Sequence, residues 1–81
     1  MDFMQLDILS PDKNIFSGEV HSIRLPGTIG SFGILKNHAP LISTLKEGKI
    51  KIVDSAGKEE FVAIKGGVVE VLKNRVIILA E

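Results

Sequence analysis

Val68-Val69-Glu70-Val71-Leu72-Lys73-Asn74-Arg75-Val76-Ile77-Ile78-Leu79-Ala80 reads as strand, tight turn, strand. β-branched side chains fit a pleated surface and crowd a helix, and Lys73 with Asn74 suits a two-residue reversal. The same signature recurs upstream. Eleven Ile, seven Val and two Thr make 20 of the 81 residues, clustered in short runs between turn formers. Asp2 to Leu9 sets Met4, Leu6 and Ile8 against Gln5 and Asp7, the period of two expected of a half-wet strand. Ser10 and Pro11 end it. Ile15-Phe16 runs to Gly18, then Glu19 to Leu25 alternates His21, Ile23 and Leu25 with Val20, Ser22 and Arg24. Gly27, Gly30 and Gly33 punctuate a bent segment that carries Phe32 and Ile34 inward, and Lys36 to Pro40 is an aperiodic surface loop. Leu41 to Leu45 is a strand. Lys46-Glu47-Gly48 turns into Lys49 to Asp54, Ser55-Ala56-Gly57 into Glu59 to Lys65, and Gly66-Gly67 interrupts the ladder before the hairpin quoted above. Connections this short leave no place for crossover helices, so the chain is expected to be all-β: a flattened antiparallel sandwich or barrel of about ten short strands, one domain over 1–81.

One excess stands out. A sandwich strand needs apolar residues on one face, yet Val68, Val69 and Val71, and Val76 through Leu79, supply them on both. Either loops cover the second face or it is a docking surface for another chain.

Composition narrows the function. At 81 residues, 44% of them apolar, folding hides about 60% of the unfolded surface, which leaves little room for a closed catalytic pocket beside the core. Ten basic and ten acidic residues cancel, so no general field draws nucleic acid or an anionic membrane. The chain has no cysteine and therefore no disulfide, thiolate nucleophile or sulfur-bound metal. The first nine residues lack the basic start and apolar block of a leader, and no apolar run approaches the roughly 18 residues of a membrane span.

The residues name no reaction. His21 and His38 are the two histidines and fall in no metal-ligand spacing. None of the six serines sits in a nucleophile elbow. Glu59 and Glu60 are adjacent, which on a strand points them to opposite faces. The glycines from Gly27 to Gly33 match no phosphate-binding fingerprint, and a chain without Trp or Tyr has no platform for stacking bases. His38, beside Pro40, fits either a loop-carbonyl partner or a partner chain.

Taken in order, Ser10-Pro11, Phe16-Ser17-Gly18-Glu19-Val20, Leu25-Pro26-Gly27, Gly30-Ser31-Phe32-Gly33-Ile34-Leu35, His38-Ala39-Pro40-Leu41, Leu45 with Gly48, Gly66-Gly67 and Glu70-Val71 resemble the epsilon subunit of the rotary F-type ATP synthase over the whole chain. The resemblance implies a ten-stranded β-sandwich. It also implies a non-catalytic, cofactor-free part of the central rotor stalk, peripheral on the cytoplasmic face of the bacterial inner membrane. Its implied partners are the gamma subunit, through Ser10, His38, Ala39, Pro40, Leu41 and Ser43, and the membrane c-ring, through Thr28, Ile29, Gly30, Ser31 and Phe32. The apolar excess then serves a subunit contact. Two positions depart from the family pattern. Lys36-Asn37 replaces a common Pro-Gly, a turn that Asn tolerates, and Ser31 stands where an acid is frequent, so a charge-based ring contact does not carry over. The family typically continues into a two-helix hairpin that inserts between catalytic subunits or binds ATP. With Glu81 last, the expectation is a short form lacking that inhibitory latch and nucleotide site. The competing readings are a free-standing barrel that binds a ligand or carbohydrate in a concave, partly polar pocket, and an enzyme, which would need an acid, base or metal constellation.

Overall fold

The computed structural model describes residues 3–35 and 39–81. Among them lie six strands and no helix: β1 (Met4–Leu9), β2 (Asn14–Pro26), β3 (Ser31–Leu35), β4 (Leu41–Asp54), β5 (Glu59–Leu72) and β6 (Arg75–Ala80). The sheet order is β1-β6-β5-β4-β2-β3, and β1 also pairs with β2. Five strands therefore close into a ring, with β3 attached along β2. Val20 of β2 is paired with both Met4 of β1 and Asp54 of β4, and Ile23 with both Ile34 of β3 and Ile52 of β4. So β1 and β3 follow one another on the edge of β2 opposite β4. Every pairing is antiparallel except β1 with β6, the seam that closes the ring.

The all-β expectation holds, and the strand count does not: six strands stand where about ten short ones were expected. Gly18, Lys46-Glu47-Gly48 and Gly66-Gly67 do not end strands. Each lies inside a continuous one, because a glycine keeps both its backbone donor and acceptor and can bend a ladder without breaking it. The β4–β5 pairing runs from Leu41 opposite Val71 to Val53 opposite Glu59 without a slip.

What changes at the glycines is the inward phase. In β4 the core side chains are odd-numbered up to Leu45 and even-numbered at Ile50 and Ile52; in β5 they are even at Ile64 and odd at Val69 and Val71. The switch occurs where Gly66 and Gly67 have φ of 153° and 152°, a backbone region side chains rarely adopt. At Gly67 a Cβ would collide with the Leu79 carbonyl oxygen. Across the sheet, Gly48 lies against Pro26, and a Cβ there would stand 2.8 Å from the proline Cβ. The long strands thus turn a corner and serve both walls of the barrel. β2 switches by another device: its pairing with β4 shifts between Val20 and Ser22. This one-residue bulge at His21 puts Val20 on the same interior as Ile23 and Leu25, all within 2% of full burial, where unbroken alternation would set Val20 outside.

All six strands feed one core: Met4, Leu6 and Ile8; Val20, Ile23 and Leu25; Ile34; Leu45, Ile50 and Ile52; Ile64, Val69 and Val71; Val76, Ile78 and Ala80. Among the described residues no polar or charged side chain is buried. Two turns complete the hairpins as the sequence reading expects. Asp54 accepts from the backbone N–H groups of Ala56 and Lys58 through its carboxylate, both at 2.9 Å, and Gly57 takes φ of 84°. Lys73 takes φ of 56° at the β5–β6 turn, whose Asn74 carbonyl accepts from the Gln5 N–H at 2.9 Å.

Candidate functional site

Side chains alternate across a strand, so the outward positions of β1, β6, β5 and the first part of β4 share one face. Register sets them in rows. Leu9 lies beside Leu79, Leu79 opposite Val68 and Val68 opposite Thr44; the next row is Asp7, Ile77, Glu70 and Ile42. Ile42 is 71% exposed, Leu79 56% and Val68 38%. They line two adjoining hollows, one of about 460 Å³ with Leu9, Ser10 and Pro11, the other of about 180 Å³ with Ile77 and Glu70. The open question of the sequence is met here: among the described residues, nothing covers the second apolar face of β5 and β6.

The margin of this face is polar. Asp7 accepts a hydrogen bond from the Ser17 hydroxyl at 2.7 Å and faces the Arg75 guanidinium at 3.9 Å. An apolar patch bordered by polar residues is the anatomy of a protein interface, and here it also holds one carboxylate, Glu70, between Ile77 and Ile42.

The gamma-facing residues implied by the resemblance bracket this face. Ser10 follows β1 directly, half-buried, and organises the turn after it: its N–H donates to the Lys13 carbonyl at 2.9 Å, and its hydroxyl also meets Lys13. Ser43 sits three strands away, about 14 Å at the usual strand spacing, and is half-buried on the inward side of β4 with Leu41 and Leu45. Leu41 packs partly against the core. Ala39 and Pro40 are exposed just ahead of β4. His38 lies outside the described residues. Between Leu41 and Ser43 it is Ile42, absent from the residues the resemblance implies, that faces outward. The signal was present, since a strand with Leu41 and Leu45 inside must turn Ile42 out.

The residues that the resemblance assigns to the ring, Thr28 to Phe32, form the β2–β3 turn and the start of β3. The Gly30 N–H donates to the Gly27 carbonyl at 3.1 Å, and the Thr28 N–H to the Thr44 carbonyl at 3.2 Å. The Thr28 and Thr44 hydroxyls are 2.9 Å apart. Through Thr44 the turn abuts the end of the row that begins at Leu9. Phe32 folds back, half-buried, onto the core, and Ser31 accepts from the Arg24 guanidinium at 3.4 Å.

On the opposite wall a hollow of about 280 Å³ is lined by Ser22, Ile23, Arg24, Gly33, Ile34, Leu35, Lys51 and Val53. It contains two cationic side chains and no carboxylate or imidazole. Among the described residues no three His, Asp or Glu side chains gather as metal ligands would.

Residues 3–81 match the family described as ATP synthase, Delta/Epsilon chain, beta-sandwich domain. The ATP synthase epsilon chain of Dichelobacter nodosus (strain VCS1703A) is 48% identical over 77 residues, which is 95% of this chain and 54% of that one. The chain thus spans about half the length of this curated relative. Among solved structures, a chain of the Euglena gracilis mitochondrial ATP synthase (OSCP/F1/c-ring, rotational state 1) superposes with a TM-score of 0.91 at 24% identity, covering 96% of this chain and 50% of that one. A chain of the Tetrahymena thermophila mitochondrial ATP synthase central stalk and c-ring does so with a TM-score of 0.78 at 19% identity, covering 95% and 62%. At those identities the likeness is one of fold. The family match over nearly the whole chain and the close relative together assign it: the chain belongs to the beta-sandwich domain family of the ATP synthase delta and epsilon chains.

Proposed function

We propose that the chain is a non-catalytic subunit of the central rotor stalk of an ion-translocating F-type ATP synthase, joining the gamma subunit to the membrane c-ring. In this reading it meets the membrane only through the complex, at the cytoplasmic face of a bacterial inner membrane. The observation that carries it is the uncovered apolar face centred on Ile42, Val68, Ile77 and Leu79, in a chain of this family. Gamma occupies that face, with Ser10, Ala39, Pro40, Leu41 and Ser43 on or near its margin, and the ring meets the turn from Thr28 to Phe32. The part played is mechanical: a hydrogen-bonded ring of strands around a close-packed core transmits torque with little deformation.

The test is binding of purified gamma to the chain carrying Ile42→Asp and Leu79→Lys. Both side chains are mostly exposed, so the fold and its melting temperature are expected to persist while affinity falls by about two orders of magnitude, as when charges enter the centre of an interface. Undiminished affinity removes this face from the gamma contact. Purification of the native complex from the source cell should bring gamma and c subunits with this chain; a lone monomer favours the ligand-binding barrel.

A further inference from the structure

Glu70 points out of β5 between Val68 and Leu72, which share its face by alternation. Register places Ile77 of β6 on one side of it and Ile42 of β4 on the other. All four flanking side chains are therefore apolar. Leu72 is exposed like Ile42 and Val68, and Ile77 is half-buried. In the hollow of about 180 Å³ formed by Ile42, Val68, Ile77 and Leu79, Glu70 is the one ionisable group in the lining. Among the described residues it has no hydrogen bond and no ion pair. The cation on the adjoining strand is Arg75, diagonally across at roughly 7–8 Å between Cβ atoms. Its guanidinium turns the other way, to Asp7 at 3.9 Å.

In water this carboxylate is solvated and needs no partner. Once another chain covers the four apolar residues around it, the same carboxylate loses its water, and an unpaired charge so enclosed costs more than burying one neighbouring side chain returns. A purely apolar partner would be expelled by Glu70. One that brings its own acid would be repelled outright. What fits is a long cationic side chain, whose aliphatic stem lies along the apolar walls while its head meets the carboxylate in a charge-assisted hydrogen bond. A single charge ringed by apolar residues also fixes alignment: a slip of one position would leave Glu70 against carbon and the partner's cation against an isoleucine.

On the rotor reading above, we infer that Glu70 pairs with an arginine or lysine that gamma presents at the centre of its own apolar patch, and that this one charge pair sets the register in which gamma seats. Asp7 and Arg75 already face each other at the margin, so neither competes for it.

The experiment measures affinity of the full chain for purified gamma, as wild type, Glu70→Gln, Glu70→Lys and Arg75→Gln, and as Glu70→Gln combined with Arg75→Gln. Glu70 is exposed, so the melting temperature should not move. Glu70→Gln keeps the size and removes the charge, and a loss of about 10- to 100-fold is expected; Glu70→Lys should lose more. Glu70→Lys is then tested against gamma variants in which each arginine or lysine in turn becomes glutamate. One of them should bring affinity back to within about tenfold of the wild-type pair, as a reversed charge pair does. Wild-type or tighter binding by Glu70→Gln overturns the pairing and leaves the rotor reading standing, as does the lack of any rescuing gamma variant. A Glu70→Gln loss that vanishes in the Arg75→Gln background makes this chain's own arginine the partner and overturns the pairing too. Failure of the wild-type chain to bind gamma at all overturns both.

Discussion

Gly67 is where this fold leaves the backbone least freedom. Its φ of 152° belongs to glycine, and a Cβ would meet the Leu79 carbonyl, which is backbone and cannot step aside. Gly67→Ala is accordingly expected to lower stability by about 2–4 kcal/mol, the sum of a strained dihedral and a displaced strand. Chemical denaturation of the variant measures it. A loss below half a kcal/mol would mean that β5 and β6 part easily at this point, and the corner would not be the rigid joint described. The sequence announced Gly66-Gly67 as special but not in what way. A pair of glycines signals relaxed backbone constraint, and only the partner strand decides whether the chain ends there or turns a corner.

At the scale of the strand, the same ambiguity explains what was legible. Where one strand serves one wall, alternation reads correctly: Met4, Leu6 and Ile8 of β1 lie inside as their spacing requires. Where a strand crosses from wall to wall its inward phase changes, and a period-two reading either breaks the strand, as at Gly48, or sets a residue on the wrong side, as with Val20. The uncovered face was legible as an excess of apolar residues in β5 and β6. Ile42, its contribution from β4, is less legible, because one isoleucine in an alternating strand does not show as an excess. The bulge at His21 allows a direct check. Deleting His21 restores unbroken alternation and so forces either Val20 or the pair Ile23 and Leu25 out of the core. Losing even one such side chain from the interior costs about 1.5–3 kcal/mol before any repacking. His21→Ala keeps the extra residue, and His21 is itself exposed, so that substitution should change stability by less than about 0.5 kcal/mol. Equal damage from deletion and substitution would mean that the imidazole, and not the residue count, holds the bulge.

For the molecule as a whole the decisive feature is closure. β1 alone joins β2 to β6, and Leu6, fully buried, lies between Gly18 on one side and Val76 on the other. On the proposed rotor role, a torque-bearing spacer needs the ring shut, whereas recognition needs only the outer face, so stiffness and binding should separate by mutation. Leu6→Ala opens a cavity at the seam and is expected to cost about 2–5 kcal/mol, a large share of the roughly 5–15 kcal/mol typical of a folded domain. Because one core runs through all six strands, the loss should shift the urea midpoint at unchanged slope, with fluorescence of a probe on β3 and circular dichroism still coinciding. Below its melting temperature the same variant should bind gamma as the wild type does, while Ile42→Asp with Leu79→Lys shows the reverse: full stability and lost binding. If Leu6→Ala leaves the transition in place, or splits it into separate steps for the seam and the β4–β5 hairpin, the closed ring is not the mechanical unit. The stiffness would then have to come from the partners and not from this chain.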